Sequence, residues 1–189
     1  MAYTHPARSC AATSGVASPS ARVARWHATQ VQHHMSALRL NNYPALSQPP
    51  LPRQLRAGAH CDYGTLTVLM PHQGDRGGEG LQVYSQDAWR DVDVPAGVFV
   101  INVGDLIARW TNDRWKSTLH RVVVREGSGD TDGHGAARRM SLAFFHQPDW
   151  DADVEVVPSC VAAGSQPLYE PTTAGKHIKD KFEAAGISV

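Results

Sequence analysis

The chain has 189 residues, of which 42% are hydrophobic, and its 18 basic side chains balance 18 acidic ones. This composition is typical of one folded domain and excludes a wholly disordered chain. No apolar run approaches the ~20 residues of a membrane span, and the balanced net charge provides no overall basic field that would indicate nucleic acid. The three cysteines form neither a disulfide framework nor a CxxC zinc pair, so a reducing, cytoplasmic location is expected.

The amino-terminal third differs in charge from the rest of the chain, since residues 1–61 contain six Arg but no Asp or Glu. The Ala- and Ser-rich stretch 1–19 has no apolar periodicity and is predicted to be a disordered tail. An organelle transit peptide has a similar composition and stays open as an alternative. Residues 20–37 are predicted to form a helix, because Val23, Trp26, Val31 and Met35 recur at helical spacing.

From Leu38 onward the sequence predicts short β-strands separated by turn residues. The segment Leu38-Arg39-Leu40 alternates, and further strands are predicted at 54–60, 65–70, 80–85, 89–94, 97–103, 117–125, 138–147 and 153–157. Short helices are predicted at 105–111 and 173–185. This order favours a mainly β fold, a double-stranded β-helix or jelly roll with a few flanking helices. GxGxxG, P-loop and GxSxG motifs are absent, so nucleotide binding and nucleophile-elbow hydrolysis have no support.

A candidate metal site comes from His60 and Asp62, which flank Cys61 at the end of a predicted strand, together with His120 in a later strand. Side chains at i and i+2 of a strand share a face, so His60 and Asp62 can chelate one ion together. Two imidazoles and one carboxylate form the facial triad of non-haem Fe(II) oxygenases. An HxD triplet alone is weak evidence, because a surface histidine before a turn gives the same letters.

A candidate anion site lies in the predicted strand RRMSLAFF, where Arg139 and Ser141 share a face and Met140 points the other way. A buried guanidinium next to a hydroxyl suits a carboxylate, because its donors form a rigid fork. An ordinary surface arginine on an edge strand is the alternative interpretation.

The order of these motifs resembles the 2-oxoglutarate and Fe(II)-dependent oxygenase superfamily, in its isopenicillin N synthase-like branch. The resemblance covers about residues 20–185, and its matching stretches are LRLNNYP (38–44), QLRAGAHCDYGTLTVL (54–69), GLQVYSQDAWRDV (80–92), VFVINVGDLIARWTNDRWKSTLHRVV (98–123), RRMSLAFFHQPD (138–149) and YEPTTAGKHI (169–178). It implies that His60, Asp62 and His120 bind Fe(II).

The resemblance also implies a cosubstrate site. Arg139 and Ser141 would hold the distal carboxylate of 2-oxoglutarate, and Tyr43 matches a family tyrosine that contacts the same molecule. Asn41 matches a position near the substrate in relatives. The turn at 102–105, which reads NVGD, matches a family turn that we interpret as structural.

The implied activity is that of a dioxygenase that uses Fe(II), 2-oxoglutarate and O2 to oxidise a small organic molecule, with succinate and CO2 as coproducts. The oxidation would be a hydroxylation, a desaturation or a cyclisation, and a monomer without nucleic-acid or membrane partners is expected. The catalytic domain would span 20–189, without the further amino-terminal region that family members usually carry. Two alternatives stay open: an oxidase of the same fold that does not use 2-oxoglutarate, and a truncated, non-catalytic remnant.

Overall fold

The computed structural model describes residues 30–71, 79–95, 97–125 and 136–186. These residues contain ten β-strands, two α-helices and one short 3-10 helix at Pro158–Cys160. The strands are β1 Ala37–Tyr43, β2 Leu55–His60, β3 Leu66–Pro71, β4 Leu81–Ser85, β5 Ala88–Asp91, β6 Val100–Val103, β7 His120–Val123, β8 Arg139–His146, β9 Asp153–Val154 and β10 Thr172–Thr173. The helices are α1 Asp105–Trp110 and α2 Ala174–Ala184.

Eight of these strands form two four-stranded antiparallel sheets, which confirms the predicted jelly roll. The major sheet has the order β1-β8-β3-β6 and the minor sheet the order β2-β7-β4-β5, while β9 pairs with β10. Consecutive strands therefore alternate between the sheets in part of the chain, as a jelly roll requires. No helix among the described residues is long and apolar enough to cross a membrane.

The predicted helix over 20–37 is wrong where the structure describes it. Residues 30–36 are turns and irregular backbone, and β1 begins at Ala37. The N–H of Met35 donates to the carbonyl of Pro148 and that of His33 to the carboxylate of Asp149. Because these N–H groups bond to residues that follow β8, they cannot form the hydrogen bonds of an α-helix. Residues 20–29 and the predicted tail lie outside the described residues.

Strand β1 of the major sheet turns polar side chains inward and apolar ones outward. Arg39, Asn41 and Tyr43 of β1 line the space between the sheets. Leu38 and Leu40, on the opposite face of the same strand, are 65% and 61% exposed. Strand alternation therefore gives the barrel a polar lining at this strand, which suits a binding site better than a packed core.

The largest cluster of buried apolar residues lies beside the sheets rather than between them. It is formed by α1, α2 and the β9 segment, and its members are Leu106, Trp110, Ala152, Val154 and Ala174. Helix α2 is capped by Thr173, whose hydroxyl accepts a hydrogen bond from the N–H of Lys176. The helices thus anchor one end of the jelly roll and leave its interior free.

Helix α1 is pressed against the loop that follows β2. A Cβ atom on Gly104 would lie 2.3 Å from the carbonyl oxygen of Gly64, so only glycine fits this approach. The N–H of Asp105 donates to the carbonyl of Asp62 at 2.8 Å. The start of α1 therefore fixes the backbone at Asp62.

His177 on α2 is buried, and this burial, with a further contribution from the nearby Arg109 cation, lowers its pKa to about 4 from the usual 6.5. Between these two values the unfolded chain binds a proton that the folded chain does not. The free energy of unfolding should therefore fall as the pH falls through this window.

We expect His177 to contribute a loss of about 2 kcal/mol between pH 7 and pH 5. Urea unfolding of the metal-free protein at both pH values, compared with that of His177→Gln, would measure this contribution. His177→Gln should lose this contribution to the pH dependence of the free energy of unfolding. The control variant His34→Gln, which changes an exposed histidine, should keep it. An unchanged pH dependence in His177→Gln would contradict the assignment.

Candidate active site

Three side chains converge at one end of the space between the sheets. His60 ends β2 and His120 begins β7, and the pairing of these strands places the two residues opposite each other. Their ring centroids are 4.3 Å apart, and the Nε2 atom of each lies 3.8 Å from Oδ1 of Asp62. One ligand atom from each residue lies within 4.8 Å of the other two. The three residues predicted as metal ligands are thus brought together.

Asp62 reaches this cluster from a loop rather than from a strand. Strand β2 ends at His60, so pleat alternation alone does not explain the direction of the carboxylate. The hydrogen bond from Asp105 to the carbonyl of Asp62 holds the loop instead. The predicted proximity is confirmed, and its structural cause is the packing of α1.

Hydrogen bonds orient both imidazole rings toward the cluster. Nδ1 of His60 lies 2.8 Å from the carbonyl oxygen of Gly58, and Nδ1 of His120 lies 2.9 Å from that of Thr118. A carbonyl oxygen only accepts, so each Nδ1 is the donor, and in the neutral tautomer that donates from Nδ1 the Nε2 atom has a free lone pair. Both rings are therefore prepared to ligate through Nε2, as metal-binding histidines are.

The Asp62 carboxylate is held from the major sheet. Its Oδ2 accepts hydrogen bonds from Thr67 of β3 at 2.5 Å and from Asn102 of β6 at 2.7 Å. Oδ1 stays directed toward the two histidines. Sequence reasoning interpreted Asn102 as structural and gave Thr67 no role. The sequence signal for the role of Asn102 is that it is the one polar residue in the strand VINV.

The arrangement fits a divalent metal ion. Two neutral imidazole nitrogens and one carboxylate oxygen are the donors of the non-haem Fe(II) triad, and they occupy one side of an ion. The Asp62 side chain is 8% exposed, and its carboxylate accepts two hydrogen bonds on one oxygen and faces the two histidines with the other. A buried charge of this kind requires a compensating cation.

Loss of an outer hydrogen bond to the carboxylate should weaken metal binding. We expect Asn102→Ala to lower the affinity for Fe(II) about 10–100-fold, because Asp62 loses a donor that orients it. Anaerobic Fe(II) titration would measure the change. The control is Asn112→Ala, in the loop after α1, which should bind Fe(II) as the parent protein does. An Asn102→Ala variant with the Fe(II) affinity of the parent would contradict the positioning role of Asn102.

A second polar group lies deeper between the sheets, where β1 and β8 pair. Tyr43 is opposite Arg139 and Asn41 is opposite Ser141 in the register of the strands. A cavity of about 170 Å³ is lined by all four residues and by the His60–Asp62–His120 cluster. The structure thus places every predicted site residue on one cavity.

Arg139, which lines this cavity, has an unused donor. The residue is 6% exposed, its Nε donates to the carbonyl of Glu79 at 3.1 Å, and Nη1 lies 3.5 Å from the hydroxyl of Ser141. Its Nη2 is buried and has no hydrogen-bond partner among the described residues. Burial lowers the pKa of the guanidinium below its ordinary value, and the nearby Arg56 cation adds to this effect. A buried, unpartnered donor on a cation indicates an anionic ligand.

Arg56 of β2 is a further residue of this region that sequence reasoning missed. Its guanidinium donates to the carbonyls of Pro44 and Ala137, at 3.1 and 2.6 Å. It therefore ties the end of β1, which carries Tyr43, to the start of β8, which carries Arg139. Both guanidinium groups lie over the Tyr43 ring, at 5.8 Å for Arg56 and 5.6 Å for Arg139.

We expect Arg56→Ala to weaken 2-oxoglutarate binding by about tenfold, because two hydrogen bonds that align the anion site are lost. Titration of the Fe(II)-loaded protein would measure this affinity. Fe(II) affinity should not change, because Arg56 does not contact the triad. An unaltered 2-oxoglutarate affinity in Arg56→Ala would show that the two strand ends hold their positions without it.

Comparison with known proteins places these residues in a family. The model of the 2OG-Fe(II) oxygenase superfamily matches residues 28–148. The chain belongs to this superfamily. It is 32% identical over 152 residues to the 2-oxoglutarate-Fe(II) type oxidoreductase hxnY of Emericella nidulans, a match that covers 79% of this chain and 40% of that protein. It is 37% identical to gibberellin 20 oxidase 1-A of Triticum aestivum, over 77% of this chain and 35% of the relative.

A solved structure shows the same architecture. A full-length Neurospora crassa protein, solved in complex with alpha-KG and thymine, superposes with a TM-score of 0.73 at 36% identity, over 86% of this chain and 48% of that one. The chain thus spans between about a third and a half of the length of these relatives. Fe(II) and 2-oxoglutarate, the expected cofactors, are those that the superfamily's name carries.

Proposed function

We propose that this chain is the catalytic domain of a 2-oxoglutarate-dependent Fe(II) dioxygenase that oxidises a small organic molecule. The observation that carries the proposal is a single cavity that joins the His60–Asp62–His120 cluster to the unpartnered guanidinium nitrogen of Arg139. One end offers metal ligands and the other end offers an anion site. A short dianionic keto acid is the cosubstrate that such a cavity suits.

In this proposal each residue has a distinct task. His60, Asp62 and His120 hold Fe(II), which supplies, with 2-oxoglutarate and O2, the oxidising power for a C–H bond. Arg139 binds the distal carboxylate of the cosubstrate through its free Nη2. Ser141 adds a hydroxyl next to it. The fixed charge and planar fork of arginine orient a carboxylate more strictly than lysine would.

The walls of the cavity support this chemistry. Asn41 and Tyr43 contribute polar groups along β1, while the space between the two ends is lined by apolar side chains, among them Leu69, Leu81, Val83 and Val100. Apolar walls exclude water from a reactive centre and strengthen the electrostatic contacts within it. Tyr43, whose ring contacts both the Arg56 and the Arg139 guanidinium groups, aligns the anion end.

The reaction would give succinate and CO2 together with a hydroxylated, desaturated or cyclised product. A small-molecule substrate is supported by the Neurospora crassa protein, which is similar in structure and was solved with thymine. A cytoplasmic monomer that binds neither nucleic acid nor membrane stays a prediction from the composition of the chain.

Anaerobic visible spectroscopy tests the proposal. Fe(II) and then 2-oxoglutarate are added to the purified metal-free protein, and a charge-transfer band that needs both additions is expected. Iron binding without such a band would favour an oxidase that does not use 2-oxoglutarate. No iron binding at all would favour a non-catalytic remnant. Either of the last two results would overturn the proposal.

A further inference from the structure

A second cavity meets the triad from another side. It has a volume of about 360 Å³ and is lined by residues of the segment before β1, of β1, of β8 and of α2. It shares His60, Asp62, Arg39 and Phe145 with the cavity that holds the anion site. Arg139 does not line it. This volume lies within the range of small-molecule sites, and it leaves the cosubstrate's cavity free.

The charge of this second cavity comes from Arg39. Asp62 is the one acidic side chain among the described residues of its lining, and its carboxylate is directed at His60 and His120. Among the described residues, none forms a hydrogen bond or ion pair with the Arg39 guanidinium; its described contact is with the ring of Phe145, at 5.5 Å from the centroid. Arg39 thus offers its donors to an oxygen acceptor next to the metal position.

Three aromatic rings form part of the other walls of the cavity. Phe145 of β8 lies beneath Arg39, and Tyr63 packs edge-on against Phe182 of α2 with ring centroids 5.6 Å apart. These rings come from three separate segments that face the same cavity. Aromatic walls favour flat ligands, because stacked and edge-on ring contacts add to apolar burial.

We propose that this second cavity binds the oxidised substrate and that it selects a small planar ring compound bearing a carboxylate or ring carbonyl oxygen. Arg39 is the specificity-determining residue, which binds that oxygen while the ring lies against Phe145 and Tyr63. The inference rests on the proposed function, because it assigns the second reactant of the same metal centre. The bound ring would present its C–H bonds at the triad.

Binding to redox-inert protein tests this inference without turnover. The chain is loaded with Zn(II) and saturating 2-oxoglutarate, which occupies Arg139, and is titrated with benzoate, thymine and cyclohexanecarboxylate by ligand-observed NMR. Benzoate or thymine is expected to bind, and the non-planar cyclohexanecarboxylate to bind at least about tenfold more weakly. Binding of benzoate alone would assign a carboxylate, and binding of thymine alone a ring carbonyl.

The variants distinguish Arg39 from a general effect of charge. Arg39→Gln should lower the affinity for the planar probe by at least about tenfold, and Arg39→Lys should retain part of the affinity that Arg39→Gln loses. Arg114→Gln, at an exposed arginine that lines neither cavity, should bind as the parent does. The inference is overturned if neither planar probe binds, if the non-planar acid binds equally, or if Arg39→Gln changes nothing.

The same samples separate this inference from the proposed function. The affinity for 2-oxoglutarate is measured in each variant, and Arg39→Gln should lower it much less than it lowers the affinity for the planar probe, because the distal carboxylate binds at Arg139. If the parent protein does not bind 2-oxoglutarate, the proposed function fails and the inference fails with it. If 2-oxoglutarate binds and no planar probe does, the inference alone is wrong.

Discussion

Replacement of His120 by alanine is expected to remove Fe(II) binding and, with it, all 2-oxoglutarate turnover. His120 offers a free Nε2 lone pair 3.8 Å from Oδ1 of Asp62, and the triad has no other described donor in that position. Fe(II) affinity should fall by more than the 10–100-fold that the loss of an outer hydrogen-bond partner costs, so by at least about 100-fold. Anaerobic Fe(II) titration and succinate formation measure the two effects.

The control for this experiment is His34→Ala, which removes an exposed imidazole outside both cavities. It should leave iron binding and turnover unchanged. If His120→Ala kept iron-dependent turnover, the assignment of the triad would be wrong. If it lost iron but also failed to melt cooperatively, a His120→Gln variant, which keeps more of the side-chain volume, would have to lose iron as well for the assignment to stand.

Replacement of Arg139 by alanine is expected to weaken 2-oxoglutarate binding by about 100-fold, since charge-assisted hydrogen bonds contribute about 1.5–3 kcal/mol each. Fe(II) affinity should remain close to that of the parent, because Arg139 contacts Glu79 and Ser141 and no residue of the triad. Arg139→Lys should restore only part of the affinity, because it keeps the charge and loses the planar fork. Titration of the metal-loaded variants with 2-oxoglutarate measures these affinities.

Arg138→Ala is the matched control, because Arg138 is the preceding residue of the chain and its exposed guanidinium bonds to Asn42 instead. It should bind 2-oxoglutarate normally. An Arg139→Ala variant with normal cosubstrate affinity would contradict the anion site. Loss of iron and cosubstrate together would indicate that Arg139 supports the fold rather than the ligand.

The residues that carry the candidate site were accessible from the sequence because strand alternation and motif order are local properties. Arg139 and Ser141 are two positions apart on β8, so their shared direction could be predicted from strand alternation. The spacing of His60 and Asp62 indicated their proximity, but the direction of Asp62 is set by the loop after β2. The strands other than β10 were predicted near their observed places, since turn residues lie between them; the two-residue strand β10 at Thr172–Thr173 was not predicted. The helix over 20–37 was wrong for residues 30–37 because contacts with Pro148 and Asp149, more than a hundred residues away, decide that segment.

The residues that position the site could not be predicted, since they act across the sheets. Thr67 and Asn102 reach Asp62 from two different strands of the major sheet. Arg56 joins the ends of β1 and β8, which are distant in sequence. Arg39 resembled any arginine on an alternating strand until the pairing of β1 with β8 placed it over Phe145. Contacts of this kind depend on topology, which local patterns do not contain.

The way in which Asp62 is held gives a bound ion a mechanical role. The two histidines belong to the minor sheet, while Thr67 and Asn102 of the major sheet hold the carboxylate between them. An ion bound by this triad would therefore link the two sheets. At an ion concentration 100 times the dissociation constant, it would stabilise the folded chain by about 2.7 kcal/mol. The supply of iron would then govern the lifetime of the folded barrel as well as its reactivity.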